Sequence, residues 1–164
     1  MQIDVSPASF FEKPILERLF QLYDHDFSEF ERSDVDENGL YVDEYLDLYW
    51  QEAGRYPFLV RVDGKLAGFV LVSKLPVKDA RLDVHSIVEF FIMRKYRGIG
   101  VGRAVAWQIF DRFPGEWRVE EMAVNLPAQA FWRKVIGDYT AGRYVERIRD
   151  DEEWQGPEQI FHSP

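Results

Sequence analysis

The chain has 164 residues, 46% of them hydrophobic and 16% aromatic, which is enough for one folded domain with a sizeable core. It contains no cysteine, so disulfides and thiol catalysis are excluded and a zinc site is not expected. The net charge of −9 argues against a nucleic-acid partner, no apolar run approaches the roughly 20 residues of a membrane span, and the opening MQIDVSPASFF has no basic leader, so a cytoplasmic protein without membrane association is expected.

In chain order, residues 1–5 read as a short strand. From Ser9 to about Asp26 apolar residues recur at helical spacing (Phe11, Ile15, Leu19, Leu22), which predicts an amphipathic helix. After the polar break SDVDENG, a second helix is expected from Val42 to about Ala53, with Tyr45, Leu46 and Tyr49 on one face. YPFLVRV and KLAGFVLVSKL flank Asp63-Gly64, a pair that favours a tight hairpin turn because the turn requires positive φ. LDVHSIVEFFIM reads as a long strand, followed by a helix from about Gly100 to Arg112 and a strand over EWRVEEMAV. Pro127 stands where a helix starts, Gly137 where it would end, and two strands near 139–149 and 157–162 close the chain. Hairpins mixed with helical crossovers imply a mixed sheet in a single α/β domain over residues 1–164.

The segment RKYRGIGVGRAV, residues 94–105, places three glycines at alternate positions among basic residues. It is not a dinucleotide fingerprint, because Val105 stands where the third glycine would be, and it lacks the Gly-Lys-Ser/Thr of a P-loop. A bland reading is a glycine turn that lets a strand meet a helix. The sharper one is a pyrophosphate cradle. Glycine admits a ligand to the backbone, the first helix N–H groups are unpaired, the helix dipole adds positive potential, and Arg94, Lys95, Arg97 and Arg103 add charge.

Two marks in the sequence resemble the GCN5-related N-acetyltransferase (GNAT) family. Arg97-Gly98-Ile99-Gly100-Val101-Gly102 matches its R/Q-x-x-G-x-G/A motif at the start of the central helix. Asn125, Ala128, Phe131 and Trp132 match its Asn-x-x-Ala-x-x-Phe-aromatic pattern. The resemblance implies an α/β fold with a mixed, mostly antiparallel central sheet of about six to seven strands and four helices. It also implies that the phosphate is the pyrophosphate of coenzyme A, with acetyl-CoA as co-substrate and no metal. The pantetheine arm would lie along Phe90, Phe91 and Ile92, the loop from Arg97 to Arg103 would hold the pyrophosphate, and Asn125 would contact the arm. Trp132 stands where many members carry a tyrosine that protonates the leaving thiolate. An indole is no useful acid at neutral pH, so Tyr139, Tyr144 or water would have to substitute, or the thiolate would leave unaided.

Acetyl transfer to an amine requires loss of an ammonium proton, and a carboxylate can accept it. Glu89, interrupting SIV-E-FFIM, and Glu120, five residues before Asn125, are the two candidates. Either could instead be a paired structural residue. Asp83 and His85 share the strand face of Glu89 if alternation is unbroken.

DVDENG, residues 34–39, matches the first half of an EF-hand loop, but its twelfth position is Tyr45 and not glutamate, so an Asp/Asn/Gly turn is expected. Residues 24–52 hold eleven acids and one base. In the family the corresponding region walls the acceptor site. That implies an N-acetyltransferase acting on a primary amine of a small cationic molecule or a peptide terminus, in a monomer or homodimer. The alternatives are that the acids line solvated helix faces and that the protein is an inactive acyl-CoA-binding module on the same fold.

Overall fold

The computed structural model describes residues 1–77, 79 and 82–164. Strand β1 (Ile3–Pro7) leads through a single 3-10 turn into helix α1 (Lys13–Glu31), and the one-turn helix α2 (Leu48–Gln51) precedes strands β2 (Arg55–Val62) and β3 (Lys65–Lys74). Strand β4 (Val84–Ile92), helix α3 (Val101–Arg112), strand β5 (Gly115–Glu120), helix α4 (Leu126–Thr140) and strands β6 (Val145–Asp150) and β7 (Gln155–Ser163) follow. One seven-stranded sheet has the order β1-β2-β3-β4-β5-β7-β6, antiparallel throughout except for the β4–β5 pair. Among the described residues no helix is long and apolar enough to cross a membrane.

Each face of the sheet carries its own core. Helices α3 and α4 cover Val70, Val72, Ile87, Trp117 and Val119, while α1, α2 and their connection cover Leu59, Phe69, Leu71 and Phe91. The β2–β3 turn has positive φ at both central residues, Asp63 (48°) and Gly64 (75°), as the primed hairpin turn requires.

Several boundaries differ from the sequence expectation. Helix α1 runs to Glu31 and buries Leu16, Leu19, Phe20 and Tyr23, whereas Phe11 and Leu22 are exposed. The inward stripe is Leu16, Leu19, Phe20 and Tyr23, an i, i+3, i+4, i+7 face offset from the expected one, and Phe11 lies before the helix, which begins at Lys13. The expected helix over 42–53 shrinks to α2. The Asp43 carboxylate caps the segment by accepting from the backbone N–H groups of Tyr45 and Leu46, but the bonds that follow close i→i−3 turns (Leu48 N–H to Tyr45, Tyr49 N–H to Leu46), so the α-helical pattern is confined to one turn, while Gln21 of α1 exchanges hydrogen bonds with the backbone of Tyr41 just before it. Helix α4 passes through Gly137 to Thr140 and ends on Ala141 (φ 52°), whose N–H returns to the Gly137 carbonyl. This delays β6 to Val145. DVDENG forms a turn: the Asp36 carboxylate accepts from the N–H groups of Asn38 and Leu40, and Gly39 has φ 76°.

Candidate active site

The parallel pairing of β4 with β5 runs from Val84 opposite Glu116 to Ile87 opposite Val119 and then stops. Beyond that point, among the described residues, β5 keeps only β7 as a partner, and Val88–Ile92 of β4 has no strand beside it on that edge. A cleft of about 1230 Å³ opens there, lined by the free part of β4, the end of α1, the glycine loop and the start of α4.

The β3–β4 register explains which side chains meet in the cleft. Leu71 pairs with Glu89 but Val72 pairs with Ile87, so Val88 is the extra residue of a β-bulge. Alternation is therefore broken. His85 and Ile87 face α3, where His85 packs against Tyr56, Phe113 and Trp117. Glu89 and Phe91 face α1. The expectation that His85 shares the face of Glu89 is corrected by this one-residue shift. Asp83 pairs with Lys74 at the far end of the strand.

Glu89 is held by two phenols. The Tyr23 hydroxyl of α1 donates to Oε2, and the Tyr45 hydroxyl, from the connection before α2, donates to Oε1. Burial pushes its carboxyl up to about 7, against the lowering effect of the two hydrogen bonds, and the charges of Glu31 and Asp24 push the same way as burial. Tyr23 carries no signal in the sequence and Tyr45 is expected there only on the face of a second helix, and each is far from Glu89 in the chain.

Glu120 and Glu121 lie on opposite faces of the sheet. Glu120 is ion-paired with Arg149, which also holds Asp151 at 2.8 Å. Glu121 is 3% exposed and lines the cleft. Its Oε2 accepts from Gln159 Nε2 at 3.1 Å, whereas Oε1 has no partner among the described residues. Burial, with the Glu146 charge nearby, drives its carboxyl up to about 8. Nothing in the local sequence distinguishes Glu121, a lone acid beside Glu120, as a buried carboxyl. The sign of its titration is fixed. A folded-state value raised from 4.5 means the fold holds the proton, so this contribution is present below about pH 4.5 and lost as pH rises to about 8. Glu121→Gln, which keeps the neutral shape, is expected to leave stability near that of the native protein at pH 4.5. At pH 9 it should stabilise by on the order of 3 kcal/mol, read from denaturant midpoints at the two pH values.

The glycine loop supplies the other end of the cleft. Gly98 (φ 75°) and Gly100 (φ 89°) adopt left-handed backbone, and a Cβ on either would point into open space. Gly100 precedes α3, and no side chain caps that helix, so its first N–H groups face the opening. Ile99 is exposed beside them, Val101 is buried as the first residue of the helix, and Gly102 packs beneath Phe131. Arg103 lies over the Trp107 ring at 5.5 Å. Two of the loop's cations are already engaged. Asp26 of α1 binds Arg94 at 2.7 Å and Arg97 at 2.5 Å, and Arg97 also donates to the Ile92 carbonyl at 2.6 Å.

At the α4 end, Asn125 Oδ1 caps the helix by accepting from the Ala128 N–H at 3.1 Å, which leaves its Nδ2 for other contacts. Phe90 lines the cleft against Phe131 and Trp132, whose rings lie at 5.7 and 5.0 Å, whereas Phe91 and Ile92 are buried. The two tyrosines considered as substitutes for an acid at position 132 do not line the cleft: Tyr139 bonds Asp111 and Ser163, and Tyr144 packs beside Gly137. Of the eleven acids in residues 24–52, Asp26, Glu29 and Glu31 line the cleft. Among the described residues no group of three or more His, Asp and Glu side chains is placed to hold a metal ion.

The sheet splays between β4 and β5, with the start of α3 at the mouth of the opening. The model of the Acetyltransferase (GNAT) family matches residues 16–137, and the chain belongs to that family. No curated protein matches the chain. Among solved structures, an acetyltransferase from Thermus thermophilus is similar with a TM-score of 0.63 at 18% identity, covering 99% of this chain and 97% of that one. A ribosomal-protein-alanine N-acetyltransferase from Brucella melitensis has a TM-score of 0.59 at 16% identity, covering 82% and 90%. An aminoglycoside acetyltransferase from an uncultured soil metagenomic sample, in complex with sisomicin, has a TM-score of 0.62 at 17% identity, covering 81% and 86%. These likenesses are of fold.

Proposed function

We propose that the protein is an acetyl-CoA-dependent N-acetyltransferase whose acceptor is a primary amine of a small cationic molecule or a peptide terminus. The observation that carries this reading is the meeting, in one cleft, of an unpaired strand edge, an uncapped helix start and a buried carboxyl poised near neutrality. Of the structural relatives, one is described as a ribosomal-protein-alanine N-acetyltransferase and another as an aminoglycoside acetyltransferase, which supports an amine acceptor.

The cleft fits acetyl-CoA, which when bound would supply the acyl thioester. The first N–H groups of α3, with Gly98 and Gly100 leaving the approach clear, are suited to a pyrophosphate. Arg97, Ile99, Val101, Gly102 and Arg103 shape that loop. The free edge of β4 at Val88–Ile92 offers backbone groups to an extended amide-bearing arm, with Asn125 Nδ2 across from it. A backbone N–H near Phe90 would stabilise negative charge developing on the acyl oxygen. Phe90 and Trp132 close the apolar side.

We assign Glu89 as the base, because Glu120 is neutralised by Arg149 while Glu89 meets only phenols. A carboxyl near 7 is ionised often enough at neutral pH to accept a proton and basic enough to hold it.

The cationic preference rests on Glu29 and Glu31 at the cleft, Asp26 being engaged by two arginines. Steering of this kind is screened by salt. In an amine panel with mass detection of the product, kcat/KM for a polyamine is expected to exceed that for a neutral-bodied amine of similar size at low salt and to fall steeply as salt is added. Neutralising Glu29 and Glu31 together should flatten that slope. Equal efficiencies at low salt would reject a cationic acceptor. Acetyl-CoA binding without turnover of any amine would favour an inactive module, the reading that Trp132 suggests.

A further inference from the structure

Glu89 is not presented bare to the cleft. Both its oxygens are occupied, Oε2 by Tyr23 and Oε1 by Tyr45, and the two phenols are placed differently. Tyr23 is the one tyrosine among the described residues that lines the cleft. Tyr45 does not line it and packs against Phe20 and near Tyr49, fastening the carboxyl from behind. The Tyr23 ring is fixed by Phe27 at 4.4 Å, Phe69 at 5.6 Å and Phe91 at 6.0 Å, so its hydroxyl stays aimed at Glu89. The charges acting on Glu89 and Tyr45 include the acidic Asp24 and Glu31 on α1 and Asp43 beside Tyr45, while two cations lie over the surrounding rings, Arg97 over Phe91 at 5.6 Å and Arg55 over Tyr49 at 5.4 Å. On β3 the neighbours are the apolar Phe69 and Leu71, and Tyr49 of α2 is bonded to Ser73 at 3.1 Å.

We propose that the Tyr23 hydroxyl, and not the Glu89 carboxylate directly, meets the acceptor's ammonium and relays its proton. This rests on the reading of Glu89 as the base. The relay balances: an ammonium N–H bond breaks as a new O–H bond forms on Tyr23 Oη, while the original Tyr23 O–H breaks and its proton forms a bond to Glu89 Oε2. The amine becomes neutral and nucleophilic, the tyrosine remains a neutral phenol, and Glu89 ends as the carboxylic acid. The transfer is concerted, because burial and the adjoining carboxylate hold the Tyr23 phenol well above its ordinary value and disfavour a free tyrosinate.

Tyr23→Phe and Tyr45→Phe make the test, since each removes one hydrogen bond from Glu89 but only the first removes the relay. In acceptor-free protein with carbon-13-labelled glutamate, both variants should move the Glu89 carboxyl midpoint upward, which also reports that each is folded. Kinetics use acetyl-CoA with spermidine, or else the amine of the panel that the native protein acetylates fastest, at pH 8. There Tyr23→Phe should lower kcat by about 50-fold with KM for acetyl-CoA changed less than about twofold, and Tyr45→Phe should cost less than about fivefold. The Tyr23→Phe deficit should shrink as pH approaches the pKa of the amine. Equal losses in the two variants would overturn the relay and leave both phenols as positioning residues for a directly acting Glu89. If Glu89→Gln retains native turnover, the assignment of Glu89 as base falls and the relay falls with it; if the native protein acetylates no amine, the functional reading itself falls.

Discussion

Glu89→Gln is expected to lower kcat/KM for the acceptor by about 10²–10⁴ at pH 7.5 and to remove the rise in rate expected of the native protein through pH about 7. The substitution keeps size and hydrogen-bond reach but cannot accept a proton. Its cost should therefore narrow at high pH, where the amine deprotonates unaided. The sign follows from the titration. The native carboxyl, raised to about 7 by burial, is protonated and idle below that value and ionised above it, so activity climbs with pH through that region. Acetyl-CoA affinity should stay within about threefold of native, because Glu89 faces α1 and not the uncapped start of α3. Glu120→Gln, which leaves Arg149 with Asp151, is expected to cost less. A native pH profile and rate in Glu89→Gln would show that another group takes the proton.

Gly100→Val should abolish measurable acetyl-CoA binding, with a loss of at least about 100-fold by calorimetry, while the protein remains folded. Gly100 has φ 89° and a Cβ there meets nothing within 4 Å, so no core contact is disturbed. Two effects act on the ligand site. A β-branched residue resists left-handed backbone, which costs about 1–2 kcal/mol and roughly 2–8 °C in Tm. It also sets a branched side chain in the open approach to the first N–H groups of α3. Affinity equal to native in the folded variant would remove this loop from the binding site. Salt should weaken native binding only moderately, because backbone N–H groups carry part of the site and Arg94 and Arg97 are already paired with Asp26.

Features written in a few adjacent residues were legible without coordinates. Asp63-Gly64 specifies its turn through positive φ, the alternate glycines mark the entry to α3, and the spacing of Asn125, Ala128, Phe131 and Trp132 fits one face of α4. Local backbone preference and helical period act within one or two turns of chain, so the sequence by itself determines them. The seven-stranded mixed sheet followed from the alternation of such elements.

What the tertiary structure decided depends on partners distant in the chain. The bulge at Val88 has no signature in SIVEFFIM, since it arises from how β4 registers against β3, yet that single extra residue turns Glu89 away from His85 and toward α1. Tyr23 and Tyr45 become relevant only because α1 and the connection after it pack over that face, 66 and 44 residues from Glu89 in sequence. The 42–53 segment has helical spacing, but after the Asp43 cap its backbone closes i→i−3 turns, with Gln21 holding Tyr41 just before it, and this turn delivers Tyr45 to the carboxylate. Charge counting gives Arg94 and Arg97 as two positive charges on the loop, whereas the one carboxylate of Asp26 on α1 pairs with both and cancels half of that charge. Glu120 and Glu121, adjacent and chemically identical, acquire opposite environments because a strand sends successive side chains to opposite faces, one to Arg149 and the other into the protein interior.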